Sequence, residues 1–206
     1  MAMRLLAIET ATEACSVALF EDGALLNARH VELGRGHAER LVPMIGELPD
    51  RGRADEIRVS LGPGSFTGVR IGLAAARALG LAWKAKVLGY PTLALIAAMA
   101  REHTAGDVGV CMNGGHGEWF VQGFKSDGTP SSELASLRPE AALERLGQQV
   151  IAGNRAEQFA ELGSGTITAL PMLADARHVL AIPEALLTDN LSPIYGRAPD
   201  AKAPSR

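Results

Sequence analysis

The sequence contains little cysteine: Cys15 and Cys111 are the only two among 206 residues, and each lies inside an apolar run. Two thiols so far apart do not make the disulfide framework of a small secreted protein, and their surroundings favour reduced, buried side chains. The N-terminal stretch also lacks a signal-peptide pattern, because Glu9 and Glu13 interrupt its apolar residues, and no window is long enough to span a membrane. We therefore expect a cytoplasmic protein.

The sequence has no excess of basic residues. Lys and Arg number 20 against 23 Asp and Glu, which gives a net charge of -3. This balance disfavours a protein that binds nucleic acid unaided, because neutralising phosphates requires a basic surface. The 47% of hydrophobic and 21% of charged residues are typical of a soluble globular protein. We expect any contact with tRNA to be indirect.

Residues 61–70 read LGPGSFTGVR, a glycine-rich loop that lacks the residues of two well-known catalytic loops. A phosphate-binding P-loop needs GxxxxGK[ST], and no lysine follows the glycines here. A nucleophile elbow needs GxSxG, whereas Ser65 is flanked at those positions by Pro63 and Thr67. The loop instead predicts a sharp strand-to-helix turn in which Ser65 or Thr67 caps the helix.

The helix predicted over residues 66–86 carries its only charges at Arg70, Arg77 and Lys84, a seven-residue spacing that aligns them in one stripe. A buried face is predicted for Val69, Leu73, Ala76, Gly80 and Trp83. The remaining surface is so apolar that we expect either a protein partner or a second layer of the same domain to cover it. The three basic residues are expected to be solvated or to pair with carboxylates of a partner.

Apolar runs and turn signals predict the order βββαβαβα for a first half, which we place at residues 1–104. Its predicted strands are 4–9, 15–20, 24–31, 57–61 and 87–88, and its helices are 37–48, 66–86 and 91–101. The second half, residues 105–197, begins in the same way with strands 108–112, 119–124, 136–138 and 150–152 and helices 139–146 and 155–162. Asn154 is predicted to cap the last of these, and a final helix is predicted within 172–180. Residues 198–206 read as a disordered tail.

Two tandem βββαβαβα-type halves, the second degenerate and shortened, predict the α/β fold of the actin-like ATPase superfamily, which is ribonuclease H-like. Enzymes with this fold hold phosphates through an aspartate-bearing hairpin in each half. The first hairpin here has Glu9, Thr10 and Thr12, whereas the second has Asn113 and glycines, with no carboxylate for a metal. We therefore expect at most a weak nucleotide contact, at Glu9, Thr10 and Thr12, with no resident cofactor and no metal.

Five segments in order, IETATEACSVALFEDG, GHAERLVPM, GPGSFTGVRIGLAAARAL, YPTLALIA and PIYGRAPDAK, resemble the bacterial TsaB family, also called YeaZ. The resemblance implies a non-catalytic member of the actin-like superfamily. Such a protein binds its paralogue TsaD, the enzyme that transfers a threonylcarbamoyl group to the adenosine beside the anticodon of certain tRNAs, and TsaE completes the assembly. Self-association as a homodimer is expected when the chain is alone.

The resemblance also implies that the two helices of the first half contact TsaD, at 37–48 and 67–84. The predicted contact residues are His37, Leu41, Met44, Ile45, Gly68, Ile71, Gly72, Ala75, Ala78 and Ala82. In the second half the family commonly reads Asp-Ala-Arg-x-x-Glu-Val-Tyr, whereas residues 113–120 here read NGGHGEWF. The missing aspartate and arginine weaken any nucleotide or RNA contact at this turn.

Two alternatives from other classes stay open on the sequence alone. One is an enzyme, either an actin-like ATPase or a peptidase, and the lack of the phosphate-binding aspartate in each hairpin argues against it. The other is a module that binds tRNA directly, which the net charge disfavours. His37 occupies the position where TsaD has a pair of metal-binding histidines, but Leu41 stands in place of the second, so we expect no metal site.

Overall fold

The computed structural model describes residues 2–163 and 165–196, so the predicted tail at 198–206 lies outside the described residues. The first half is a five-stranded sheet in the order β3-β2-β1-β4-β5. Strands β1 to β3 pair antiparallel, while β1, β4 and β5 run parallel. Its elements are β1 (Arg4–Glu9), β2 (Ala14–Glu21), β3 (Ala24–Glu32), α1 (His37–Gly46), β4 (Glu56–Ser60), α2 (Phe66–Trp83), β5 (Lys86–Tyr90) and α3 (Thr92–Ala100).

The second half repeats this arrangement and confirms the predicted duplication. Its elements are β6 (Val108–Gly115), β7 (Glu118–Phe124), β8 (Ala135–Leu137), α4 (Pro139–Arg145), β9 (Val150–Ala152), α5 (Ala156–Leu162) and β10 (Thr168–Leu170). The sheet order is β10-β9-β6-β7-β8, which is the order of the first sheet read from the opposite edge. The α/β fold predicted from the sequence, that of the actin-like superfamily with a shortened second half, is therefore confirmed.

The end of the second half differs from the prediction. Strand β10 was not predicted, and the helix expected within 172–180 is a short 3-10 helix at Ala176–Ala181. The backbone N–H of Ala176 donates to Ser16 Oγ of β2 at 3.0 Å, so this segment packs on the first half. The C-terminal segment also contacts the first half further on, since Ile194 N donates to Leu61 O at 2.7 Å. The end of the predicted second half, which was placed at residues 105–197, therefore packs on the first half. The predicted boundary between residues 104 and 105 stays a prediction.

Helix ends in the first half are set by local backbone geometry. Helix α1 stops at Gly46 rather than residue 48, and a 3-10 turn at Pro49–Gly52 with left-handed residues follows. Helix α2 starts as predicted, because Ser65 Oγ accepts from Gly68 N at 3.1 Å. It ends at Trp83, three residues early, because Lys84 takes a left-handed φ of 59° as the C-cap.

Helix α3 is the element that joins the two halves. Almost every residue in it is buried, and it belongs to one core cluster with residues of both sheets, such as Leu5 of β1 and Val108 of β6. A second core lies between the first sheet and helices α1 and α2, and a third lies under α4 and α5. None of the helices in the described part of the chain combines the length and apolarity needed to cross a bilayer.

Helix α2 approaches the turn between β1 and β2 so closely that glycine is required at its contact points. A Cβ at Gly68 would overlap the backbone carbonyl oxygen of Thr10, and a Cβ at Gly72 would overlap the Thr10 hydroxyl. These contacts hold the start of α2 against the turn, and they also set which side of the helix faces outward.

We expect Gly68→Ala to lower the free energy of unfolding by about 2 kcal/mol or more, because the added methyl group meets backbone that cannot yield. Urea denaturation followed by circular dichroism measures this loss. The matched control is Gly46→Ala at the end of α1, where an added Cβ meets nothing within 4 Å. Equal stability of the two variants would contradict the close contact.

Candidate functional site

The turn between β1 and β2 is built on Glu9 and Thr10, whose side chains point inward. Both residues are completely buried. Glu9 Oε1 accepts from Ala11 N at 2.7 Å, and Thr10 Oγ1 donates to Gly68 O at 2.8 Å. These two side chains hold the turn against α2, and the nucleotide contacts predicted for Glu9 and Thr10 stay predictions. Only Thr12 of the three lines the cleft.

Burial controls the ionisation of Glu9. Desolvation raises the pKa of its carboxyl from 4.5 to about 7, against the opposing effects of the Ala11 N–H and the Ser60 and Tyr90 hydroxyls. The Tyr90 hydroxyl lies 3.4 Å from Glu9 Oε2 and donates to Ile8 O at 2.9 Å. The carboxyl of Glu9 is therefore enclosed by the turn and does not face the cleft.

Asn154 links the two hairpin turns across the cleft. Its Nδ2 donates to Glu13 Oε2 at 2.9 Å, and its Oδ1 accepts from Asn113 N at 2.9 Å. Asn154 therefore does not cap α5 as predicted, since no side-chain cap precedes that helix. The bridge from Glu13 through Asn154 to Asn113 connects the first half to the second.

A cavity of about 810 Å³ opens between the halves beside this bridge. The turn after β1, the start of α2, the end of β6 and the segment 194–196 all line it. At its mouth the guanidinium carbon of Arg70 lies 3.3 Å from the ring centroid of Phe66, and Arg70 Nη2 donates to the Tyr195 hydroxyl at 2.8 Å. We call Phe66, Arg70 and Tyr195 the arginine–aromatic cluster. Such stacking is favourable because the aromatic face carries partial negative charge.

Two of the three basic side chains along α2, Arg70 and Arg77, thus form hydrogen bonds within the chain. Besides Arg70, Arg77 Nη2 donates to Leu191 O at 2.9 Å. The stripe was expected to be solvated or to pair with a partner, and that expectation is corrected for these two residues, because the C-terminal segment returns along α2. Lys84 is exposed.

His37 lies at the start of α1 and is 6% exposed. Its Nε2 is 3.0 Å from Thr12 O and 3.2 Å from Ala14 O, so the ring connects α1 to the β1–β2 turn. Among residues 2–163 and 165–196, no three His, Cys, Asp or Glu side chains converge as a set of metal ligands.

The two cysteines have the environment of core residues. Burial raises the pKa of Cys15 to about 11 and that of Cys111 to about 12. Both thiols are therefore protonated at neutral pH, and a thiol in that state is a poor nucleophile.

The predicted contact residues on α1 and α2 divide into two groups. His37, Leu41, Met44, Ile45, Gly68 and Gly72 are buried in the chain's own core or turn contacts. The chain's own fold covers these six residues, and the prediction that they contact a partner stays a prediction. Ile71 and Ala75 are half-buried, and Ala78 and Ala82 are exposed. The latter four remain accessible and stay predictions.

The exposed side of α1 and α2 includes large apolar side chains beside charged ones such as Glu39, Arg40 and Arg77, and the predicted contact residues did not include the most exposed apolar members. Leu81 is 85% exposed and Val42 is 64% exposed. Ala74, Ala78 and Ala82 share the outer side of α2 with Leu81 at helical spacing. We call Val42, Ala74, Ala78, Leu81 and Ala82 the outer helix face. The 3.6-residue period of α2 places Leu81 to one side of the buried Leu73, Ala76 and Gly80, but the period alone does not show how far that position is exposed.

Two actin-like halves around a cleft whose turns lack the phosphate-binding aspartates define a divergent member of the actin-like class. A family model described as "TsaD: tRNA N6-adenosine threonylcarbamoyltransferase" matches residues 31–186. The tRNA threonylcarbamoyladenosine biosynthesis protein TsaB of Escherichia coli K12 is 33% identical over 220 residues, which covers 95% of each chain. The chain belongs to the TsaB (YeaZ) family, as the sequence motifs predicted.

Two further similarities cover nearly the whole chain. The solved structure of YeaZ from Pseudomonas aeruginosa has a TM-score of 0.78 and 30% identity, covering 94% of this chain and 99% of that one. An uncharacterised protein of Mycobacterium tuberculosis H37Rv is 33% identical over 213 residues, covering 96% of this chain and 93% of its own length.

We expect Glu9→Gln to remove a pH dependence of stability. Folded Glu9 keeps its proton up to a pH of about 7, whereas the unfolded chain releases it near 4.5, so the wild type loses stability as pH rises between these values. Relative to the wild type, the variant should gain about 2 to 3 kcal/mol in the free energy of unfolding between roughly pH 5 and pH 8.

Urea titrations across this pH range measure the difference between the two proteins. Glu144→Gln, at an exposed position of α4, is the control and should follow the wild-type profile. If the Glu9→Gln and wild-type profiles ran parallel, the carboxyl would already be ionised in the folded protein.

Proposed function

We propose that this chain is a non-catalytic assembly subunit that binds TsaD and supports threonylcarbamoyl transfer to the adenosine beside the tRNA anticodon. Membership of the TsaB family supports a role in tRNA threonylcarbamoyladenosine biosynthesis, the process for which the Escherichia coli relative is named. The TsaD partner carries out the chemistry in this proposal, and TsaE joins the larger assembly.

The observation that carries the proposal is the outer helix face. Large apolar side chains that protrude as far as Leu81 and Val42 are unfavourable in water, and contiguous apolar patches mark interaction sites on soluble proteins. Helices α1 and α2 contact each other, so a partner that lies along α2 can also reach α1. A partner that covers this surface removes apolar area from water.

The alanines of α2 suit close packing against another helix. Ala74, Ala78 and Ala82 project only a methyl group, so the backbone of a partner helix can approach closely around the protruding Leu81. Beneath them, Leu73 and Ala76 are fixed in the core, which keeps the outer surface rigid. A rigid surface loses little conformational entropy when a partner binds.

The proposal assigns tRNA contact and catalysis to the rest of the assembly. The net charge of -3 disfavours tRNA binding by this chain alone. The buried Glu9, the amide side chain at Asn113 and the protonated thiols all argue against an ATPase or peptidase centre in this subunit.

We expect Ala78→Arg to abolish co-purification with TsaD, because the guanidinium would enter an apolar contact without a partner for its charge. Each variant is co-expressed with tagged TsaD, and the amount of the variant that is retained with TsaD during purification is measured. Leu162→Arg, at a 58% exposed site on α5, is the matched control and should co-purify like the wild type. Normal retention of Ala78→Arg would move the interface away from α2.

We also expect the isolated chain to form a homodimer through the same outer helix face. Sedimentation equilibrium should give a dimer for the wild type and a monomer for Leu81→Arg, with circular dichroism showing that the variant is folded. A wild-type monomer at micromolar concentration would contradict this surface as a self-association site.

A further inference from the structure

The hairpin that joins β6 and β7 carries an asparagine followed directly by a glycine, and the proposed function makes no use of this pair. The sequence has four asparagines, and Asn113 is the only one that precedes a glycine, since Asn27, Asn154 and Asn190 precede alanine, arginine and leucine. A following glycine matters because no Cβ shields its backbone nitrogen and its backbone rotates freely. Asn113 is therefore the asparagine whose side chain is most open to attack by the backbone nitrogen that follows it.

The pairing of the hairpin places Gly114 outside the regular ladder. Asn113 pairs with Trp119 and Gly115 pairs with Glu118, and the register shifts between these two pairs, so Gly114 is the extra residue of a β-bulge. The extra residue of a bulge is left unpaired, and the ladder is disrupted around it. The nitrogen of Gly114 is thus less constrained than a nitrogen in the middle of a regular strand.

The side chain of Asn113 is held in a position that favours attack on its carbonyl carbon. Asn113 is exposed, so water reaches it. Its Oδ1 accepts from Gly115 N at 3.2 Å, which bends the side chain over the backbone of Gly114 in an Asx turn. A donor at this oxygen also stabilises the negative charge that develops there when the carbonyl carbon is attacked.

We propose that Asn113 is a site of spontaneous deamidation, at which the backbone nitrogen of Gly114 closes a succinimide ring on the Asn113 side chain. The Gly114 nitrogen gives up its proton and bonds to Cγ, while the bond from Cγ to Nδ2 breaks, so that ammonia leaves. Water then opens the ring at one of its two carbonyl carbons. Opening at Cγ gives aspartate, whereas opening at the main-chain carbonyl carbon gives isoaspartate. Water is the only co-reactant.

Either product has a carboxylate at the end of β6, where the unmodified chain has a neutral amide. Asn113 lines the cavity between the halves, and its backbone N–H donates to Asn154 Oδ1 at 2.9 Å. Asn154 also donates to Glu13 Oε2, so a single amide side chain connects the new charge to an existing carboxylate. Deamidation thus adds negative charge to this side of the cleft, and isoaspartate also lengthens the backbone beside the bridge from Glu13 to Asn113.

Mass spectrometry of the full chain, kept for several days at mildly alkaline pH and body temperature, tests this site. We expect the intact mass to rise by the difference between an amide and an acid, and anion exchange to separate a more acidic form. Peptide mapping should show deamidation at Asn113 at least about tenfold faster than at the other asparagines, because only here does a glycine supply the attacking nitrogen. An isoaspartate methyltransferase, added as a reagent, should label part of the product.

Asn113→Gln is the matched control, because its longer side chain closes a larger ring more slowly, and its mass should stay constant over the same period. The wild type unfolded in guanidinium chloride measures the pair without the hairpin, and the folded protein should react within about tenfold of that rate. An intact Asn113 in the folded wild type would overturn the proposal, whatever the unfolded chain does. Equal rates at all asparagines of the folded protein, or an equal mass gain in Asn113→Gln, would also overturn it.

Discussion

The close contact between α2 and the turn after β1 is the constraint on which the rest of the structure depends. Thr10 donates to the carbonyl of Gly68, Ser65 N donates to Ala11 O at 2.7 Å, and glycines keep the two backbones together. This contact fixes the rotation of α2 about its axis. As a result, Leu73 and Ala76 enter the core, Leu81 faces outward, and Phe66 and Arg70 reach the cleft.

The same contact explains how this chain departs from enzymes of its fold class. The carboxyl of the first strand, Glu9, is enclosed by the turn and by Tyr90, and burial raises its pKa towards neutrality. The Glu9 carboxyl stabilises the turn by accepting a hydrogen bond from Ala11 N. The two halves keep the arrangement of the actin-like fold, whereas the carboxyl of the first strand is buried away from the cleft between them.

The C-terminal segment adds a second constraint, because it ties the end of the chain to the first half. Thr188 exchanges backbone hydrogen bonds with Gly89 of β5, and Arg77 and Arg70 of α2 hold Leu191 and Tyr195. Arg70 and Arg77 are therefore bound within the chain, whereas the outer helix face consists of exposed apolar residues. This separation places the outer helix face and the cleft on different sides of one helix.

Local sequence signals determined the elements of this protein. Apolar patterns with periods of 2 and 3.6 residues predicted nine of its strands and the helices α1 to α5. Ser65 predicted the start of α2, and the family motifs predicted the fold and the family. These signals act over a few residues, so they needed no tertiary information. Tertiary structure alone decided which apolar residues are accessible, because Leu41 and Leu81 look alike in sequence until packing buries one and exposes the other. It also decided the roles of Asn154 and Tyr195, whose partners lie 141 and 125 residues away in the chain.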